Sequence, residues 1–184
     1  MRAAFIDRDG VINEERGYVH RPEDFRLLPG TVQGLRRLQH DGWALVVVTN
    51  QAGIARGLYD EADYQRLTVH MKRMLASEGV ALDAVYHCPH HPTAGKGALR
   101  IDCECRKPRP GMLKRAASEL GVDLRASVLI GDKDSDLEAG RAAGVALCVL
   151  VESGHPPGER ARHLADHTTS GLREAAEWIA AANR

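Results

Sequence analysis

Two aspartates spaced two apart, Asp7 and Asp9, close the short apolar run Ala3-Ala4-Phe5-Ile6. Carboxylates held that close repel unless a divalent cation lies between them, so the pair points to Mg²⁺. Two further apolar runs end in polar residues of the same kind. One leads into Thr49-Asn50-Gln51, the other into Gly131-Asp132-Lys133-Asp134-Ser135-Asp136. Asp132 can join Asp7 and Asp9 around one hard ion, whose preferred ligands are oxygens. The Thr49 hydroxyl, Asn50 and loop amides can donate to a phosphate, and Lys107, before Pro108, can neutralise it. Each also has an ordinary structural use: Thr49 as a strand-end hydroxyl, Asp136 as a helix cap, Lys107 as a solvated charge. Their occurrence in order, each after the right kind of element, makes them one candidate site.

A second set of residues suits a different ion. Cys88-Pro89-His90-His91-Pro92 is followed, after a spacer of twelve residues behind His90, by Cys103-Glu104-Cys105. Three thiolates and an imidazole make a closed tetrahedral set, which fits structural Zn²⁺ rather than a catalytic site with an open position. His90 is the preferred imidazole, ahead of His91 and His87; the plain alternative is three reduced cysteines and a surface histidine. The loop favours the metal, because some twenty residues without periodicity are uncommon in a compact domain unless something pins them. Arg106 and Lys107 follow Cys105 directly, so a metal there would fix two cations facing the first site. Cys148, inside an apolar run, reads as a small buried hydrophobe.

The elements that must position these residues alternate. Ala3 to Ile6, Ala44 to Val48, Ala84 to Tyr86, Ser127 to Ile130 and Ala146 to Val151 read as strands. The continuous β-branched second run is expected of a central strand covered on both faces. Between them lie helical patterns: Val32, Leu35, Leu38 after a Thr31 cap; Leu67, Met71, Met74, Leu75 after Asp60; Met112, Leu113, Ala116, Leu120 after Pro110; Ser135 to Ala143; and a tail carrying Leu172, Ala175, Ala176, Ile179. This predicts an α/β fold with a doubly wound, mostly parallel sheet over one domain, residues 1–184, with the zinc loop at about 88–107. In such a sheet the strands' carboxyl ends share one edge, where ligands bind. Little room is left for a separate cap domain, so the site should be fairly open.

Composition narrows the class. Lys plus Arg and Asp plus Glu balance at 25 each, and there are two Trp, four Tyr and two Phe, little for binding or stacking nucleic acid. No apolar run approaches the ~20 residues of a membrane span, and no leader precedes the first strand. A cytoplasmic protein, monomeric and without nucleic-acid or membrane partners, is expected.

Asp7-Arg8-Asp9-Gly10, Thr49, Lys107 and Gly131-Asp132…Asp136 together resemble the four motifs of the haloacid dehalogenase (HAD) superfamily of phosphohydrolases. The resemblance implies that Asp7 is the nucleophile forming an aspartyl-phosphate and that Asp9 is the general acid/base. It also implies that Asp7, Asp9 and Asp132 hold Mg²⁺. Cys-Pro-His-His-Pro, Cys-x-Cys-Arg-Lys-Pro, residues 48–57 and Gly17-Tyr18-Val19-His20 extend it. They are similar to the family of D-glycero-D-manno-heptose 1,7-bisphosphate 7-phosphatases, enzymes of nucleotide-heptose and lipopolysaccharide core synthesis. By that similarity the substrate is a small sugar phosphate, contacted by Glu15, Arg16, Gly17, Tyr18, Thr49, Asn50, Gln51, Ala52, Arg106, Lys107 and Lys133. Ala52 stands where that family often has serine, so only its backbone can serve. The rival is a histidinol-phosphate phosphatase, which shares the motifs but has a shorter spacer in its zinc loop. More distant alternatives are a nucleic-acid 3′-phosphatase and a non-enzymatic, zinc-stabilised binding module.

Overall fold

Buried β-branched runs need cover on both faces, and in the computed structural model, which describes residues 1–182, they obtain it from helices on each side of one sheet. The strands are β1 (Ala3–Ile6), β2 (Ala44–Asn50), β3 (Ala84–Cys88), β4 (Val128–Gly131), β5 (Leu147–Val151) and β6 (His167–Thr169). They lie in the order β3-β2-β1-β4-β5-β6, every neighbouring pair parallel. The helices are α1 (Thr31–His40), α2 (Ala52–Arg56), α3 (Glu61–Ser77), α4 (Gly111–Leu120), α5 (Asp134–Ala143), α6 (Glu159–Leu164) and α7 (Leu172–Ala182).

Alternate strand residues feed two cores. Ile6, Val47, Ile130 and Val149 pack with Leu35 and Leu38 of α1, Leu67, Met71 and Leu75 of α3, and Leu172 and Ile179 of α7. Phe5, Val46, Val48 and Leu129 face the other way, onto Met112, Leu113 and Ala116 of α4, Leu137 of α5 and Ala161 of α6. The α/β, doubly wound expectation holds, and the sheet is parallel throughout.

The chain winds from β1 outward through β2 and β3, then returns to the other side of β1 with β4. The winding direction therefore reverses between β1 and β4, and the crevice at their carboxyl ends is where such sheets take a ligand. Asp7 leaves β1 there, its N–H donating to Ile130 O across the gap at 3.0 Å.

Three short elements were not expected: α2, α6 and β6. None runs beyond six residues, too few for a period to emerge. Thr31 does not cap α1. Gly30 occupies the cap position with φ 81°, and the Thr31 hydroxyl instead donates to Ile12 O at 3.0 Å, tying the helix to the aspartate loop. Asp60 does cap α3, through a reciprocal box with Asp63. Among the described residues no helix is long and apolar enough to cross a membrane.

Candidate active site and thiolate-imidazole centre

Asp7 Oδ1 accepts from Lys107 Nζ at 2.8 Å. The same ammonium reaches Val48 O at 2.7 Å and Asp136 Oδ1 at 2.6 Å, so its three protons all have acceptors. Burial alone would favour loss of the lysine's proton, but Asp136 and Asp7 more than offset this and keep Lys107 charged. Asp7 itself is crowded. Burial, then Asp136, push its carboxyl up against the pull of Lys107, with Asp132 adding to the push, to about 7. Burial and Asp136 raise Asp132 in the same sense.

Oxygens of Asp7, Asp132 and Asp136 all lie within 4.8 Å of one another. Asp132 Oδ1 is buried with no hydrogen-bond partner. An orphaned carboxylate oxygen beside two more carboxylates fits a hard divalent cation, which would reverse the upward push on these groups.

The side-chain carboxylates that the fold gathers are those of Asp7, Asp132 and Asp136, while the Asp9 carboxylate is held by other partners. The reason is Arg8, whose guanidinium is buried and needs a counter-charge. Arg8 grips Asp9 through Nε at 3.2 Å and Nη2 at 3.0 Å, and Asn13 and Gln51 donate to the same carboxylate at 3.0 and 3.1 Å. Burial would raise the Asp9 carboxyl, but Arg8, Asn13 and Gln51 together hold it below the usual range. Asp136 is both a helix cap and part of the site: Oδ2 accepts from Lys133 N at 3.0 Å while Oδ1 holds Lys107.

Asn50 has a use beyond the one expected. Its side chain brackets the Lys107 backbone, Nδ2 donating to Lys107 O at 3.0 Å and Oδ1 accepting from Lys107 N at 3.1 Å. One N–H of the amide is thus used in placing the lysine, and the other is left to donate into the chambers that Asn50 lines. Thr49 accepts from Gln51 Nε2 at 2.8 Å and keeps its own proton to give.

The crevice has two chambers. The inner one, about 60 Å³, is lined by Asp7, Asp9, Thr49, Lys107, Lys133 and Asp136 among others, on the scale of one phosphoryl group. The outer, about 300 Å³, is bounded by Asp9, Glu15, Gly17, Tyr18, Asn50, Gln51, Ala52, Arg106 and Lys133, with Tyr59 and Ser135. Arg16 is absent from both walls; it pairs with Glu14 at 2.6 Å on the surface. Tyr59 is a residue the sequence did not single out. Its hydroxyl donates to Gln51 Oε1 at 2.5 Å and its ring stacks on His20. No spacing rule marks it, since it reaches the site only because α2 folds back. Arg8, by contrast, stands between the two aspartates, and its charge was the available signal.

The second set also converges. Cys88 Sγ lies 3.5 Å from Cys103 Sγ and 3.8 Å from His90 Nδ1; Cys105 Sγ lies 3.3 Å from Cys103 Sγ and 3.4 Å from His90 Nδ1. No disulfide links them. A tetrahedron with metal–sulfur arms of about 2.3 Å has edges of about 3.8 Å, so the donors sit near the corners of one. Arg106 lies between the two centres, donating to His90 O at 3.2 Å while lining the outer chamber.

The HAD-hydrolase-like family model matches residues 104–175. The D-glycero-beta-D-manno-heptose-1,7-bisphosphate 7-phosphatase of Escherichia coli (strain K12) is 45% identical over 177 residues, 96% of this chain and 93% of that protein. The alpha-named enzyme of Photorhabdus laumondii is 45% identical over 159 residues, 86% of this chain and 87% of its own. Among solved structures, the D,D-heptose 1.7-bisphosphate phosphatase from B. bronchiseptica, complexed with magnesium and phosphate, superimposes with a TM-score of 0.83 at 34% identity, covering 98% of each chain. Near-complete coverage at such identity leaves one placement: this chain belongs to the D-glycero-D-manno-heptose-1,7-bisphosphate 7-phosphatase family of HAD-like hydrolases.

Proposed function

We propose that this protein is a cytoplasmic, monomeric, single-domain phosphatase that removes the 7-phosphate of D-glycero-D-manno-heptose 1,7-bisphosphate. The observation that carries the reading is the inner chamber. A carboxylate paired to a buried ammonium faces a phosphoryl-sized space that opens into a larger chamber edged by cations. Asp7 and Asp132 would hold Mg²⁺, which when bound offsets the negative charge gathered on the phosphoryl oxygens.

In this reading the Asp7 carboxylate attacks phosphorus, the P–O bond to the sugar breaks, and Asp9 gives the departing oxygen its proton. Water then attacks the aspartyl-phosphate, Asp9 takes its proton, and Asp7 is regenerated. At rest Asp9 is ionised within a cage of donors, so it must pick up a proton and turn toward the chamber it lines before it can donate. Lys107 aims the nucleophile and screens Asp136 from it. The Thr49 hydroxyl has a proton to donate to the phosphoryl group, and Arg106 and Lys133 supply charge for the second phosphate. Cys88, His90, Cys103 and Cys105 would hold Zn²⁺, which would fix the loop that carries Arg106 and Lys107.

Phosphate release with Mg²⁺ on a matched panel tests this: both anomers of heptose 1,7-bisphosphate, histidinol phosphate, fructose 1,6-bisphosphate and a 3′-phosphorylated oligonucleotide. A heptose bisphosphate should lead by about a hundredfold in kcat/KM, equivalent to about 2.7 kcal/mol of transition-state discrimination. Relatives named for each anomer are equally similar at 45%, so the panel also assigns the anomer. Histidinol phosphate in the lead would overturn the substrate and leave the mechanism standing.

A further inference from the structure

The loop after β5 reaches back over the aspartate centre. Ser153 Oγ donates to Gly10 O at 2.8 Å, pinning this loop to the one that carries Asp7. Asp132 is pressed between the two. A Cβ on Gly154 would stand 2.1 Å from Asp132 Oδ2, and one on Gly10 2.4 Å from the same atom, so both positions require glycine. One residue on, His155 Nδ1 lies 3.0 Å from Asp132 Oδ2. The ring is about half exposed, whereas the carboxylate is wholly buried. An ionised carboxylate can only accept, so Nδ1–H is the donor.

The other oxygen, Oδ1, is the buried atom without a partner. Lys133 is near enough to attract the Asp132 charge, but among the described residues the hydrogen bond to that carboxylate comes from His155. The Lys133 ammonium reaches Glu15 at 3.4 Å, and Lys107 is taken by Asp7, Val48 and Asp136. A carboxylate turns about its Cβ–Cγ bond unless a donor holds one oxygen, and such outer donors orient metal ligands.

We infer that His155 is a positioning residue for the cation site: its Nδ1–H holds Asp132 Oδ2 so that Oδ1 is presented, already oriented, to the ion shared with Asp7. The inference rests on the reading of Asp7 and Asp132 as Mg²⁺ ligands. It assigns a role to a loop that carries none of the four motif positions.

The test is Mn²⁺ binding to substrate-free protein, read from the electron paramagnetic resonance signal of the free ion. The proteins are the parent, His155→Ala, His155→Asn and Asp132→Asn. Asparagine keeps an N–H close to the position of Nδ1. The parent should bind one ion that Asp132→Asn abolishes. His155→Ala should raise the Mn²⁺ dissociation constant about tenfold or more, while His155→Asn stays within about threefold of the parent. Binding by His155→Ala as tight as the parent's, or tighter, would overturn the inference, the ring then being a stand-in for the cation. Equal weakening by alanine and asparagine would also overturn it, the ring then acting through packing. A parent that binds no Mn²⁺, or whose binding survives Asp132→Asn, removes the cation site itself and so separates failure of that reading from failure of the inference.

Discussion

The aspartate centre hangs from strand ends, whereas three of the four donors of the thiolate-imidazole centre sit on a loop whose one regular turn is Gly97–Leu99. Asp7, Thr49 and Asp132 are placed by the parallel pairing of β1, β2 and β4, and Asp136 by the first turn of α5. That arrangement is fixed by strand pairing and a helix start, which hold its carboxylates together against their repulsion, with one buried oxygen left unpartnered. Of the cysteine centre, only Cys88 belongs to a strand. The loop's own ties are few, among them His91 N to Leu99 O at 3.1 Å and Lys96 N to Ala55 O at 3.0 Å. On the proposed reading, a cation at the first centre would serve chemistry and one at the second would serve folding. Lys107 belongs to both, two residues from Cys105 along the chain and 2.8 Å from Asp7 in space.

The largest expected effect is at the strand ends. Asp7→Asn should lower kcat on the order of 10⁴-fold, a magnitude typical of losing a covalent nucleophile. Its melting temperature in metal-free buffer should hold or rise, because one buried carboxylate is gone. A chain that unfolded instead would show that the aspartate centre, too, is needed for folding.

Next comes the loop. Stripping zinc, or Cys103→Ser, should lower activity about a hundredfold by displacing Lys107 by an ångström or so. It should also open residues 89–106 to limited proteolysis, a signature Asp7→Asn will not share. Full activity from a folded, zinc-free protein would end the proposed dependence of Lys107 on the metal.

Asn50→Ala isolates the other clamp on Lys107. Losing both hydrogen bonds to the lysine backbone should cut kcat on the order of tenfold, with KM less affected and proteolysis of the loop unchanged. A KM effect alone would return Asn50 to direct substrate contact.

The smallest effect is in pH. A carboxyl raised in the folded state stabilises the fold below its unfolded value and loses that contribution as pH climbs through the folded value. With Asp7 at about 7, the metal-free protein should lose a few degrees of melting temperature between about pH 5 and pH 8. Mg²⁺ should restore more of it at pH 8 than at pH 5, since at low pH the ion must displace a proton. Calorimetry with and without Mg²⁺ reads both slopes. An equal Mg²⁺ gain at both pH values would mean that the site is already ionised at pH 5.

Much of this was legible from residue order. The runs that became β1, β2, β4 and β5 were plain because continuous apolar stretches bounded by turns have few other uses, and the parallel edge brought Asp7, Thr49 and Asp132 together as expected. Cys88, His90, Cys103 and Cys105 were legible from chemistry, because few other residue types bind zinc so closely. That the Asp9 carboxylate faces Arg8 was not legible, because spacing says where a side chain can point, not which neighbour wins it. Arg8, buried and without another carboxylate in reach, won. That Asn50 also brackets the backbone of Lys107 was not legible, because the two are distant in sequence and no local pattern marks the contact.

By itself the sequence determined the order of elements, the identity of the chemical groups and the two ions they suit, since periodicity and ligand preference are properties of local residue types. Tertiary structure alone decided that β4 lies beside β1, that the Asp136 carboxylate joins those of Asp7 and Asp132, that Tyr59 lines the outer chamber and that His155 reaches Asp132. Those outcomes turn on competition among donors and acceptors far apart in the chain, settled only when burial makes every unpaired polar group costly.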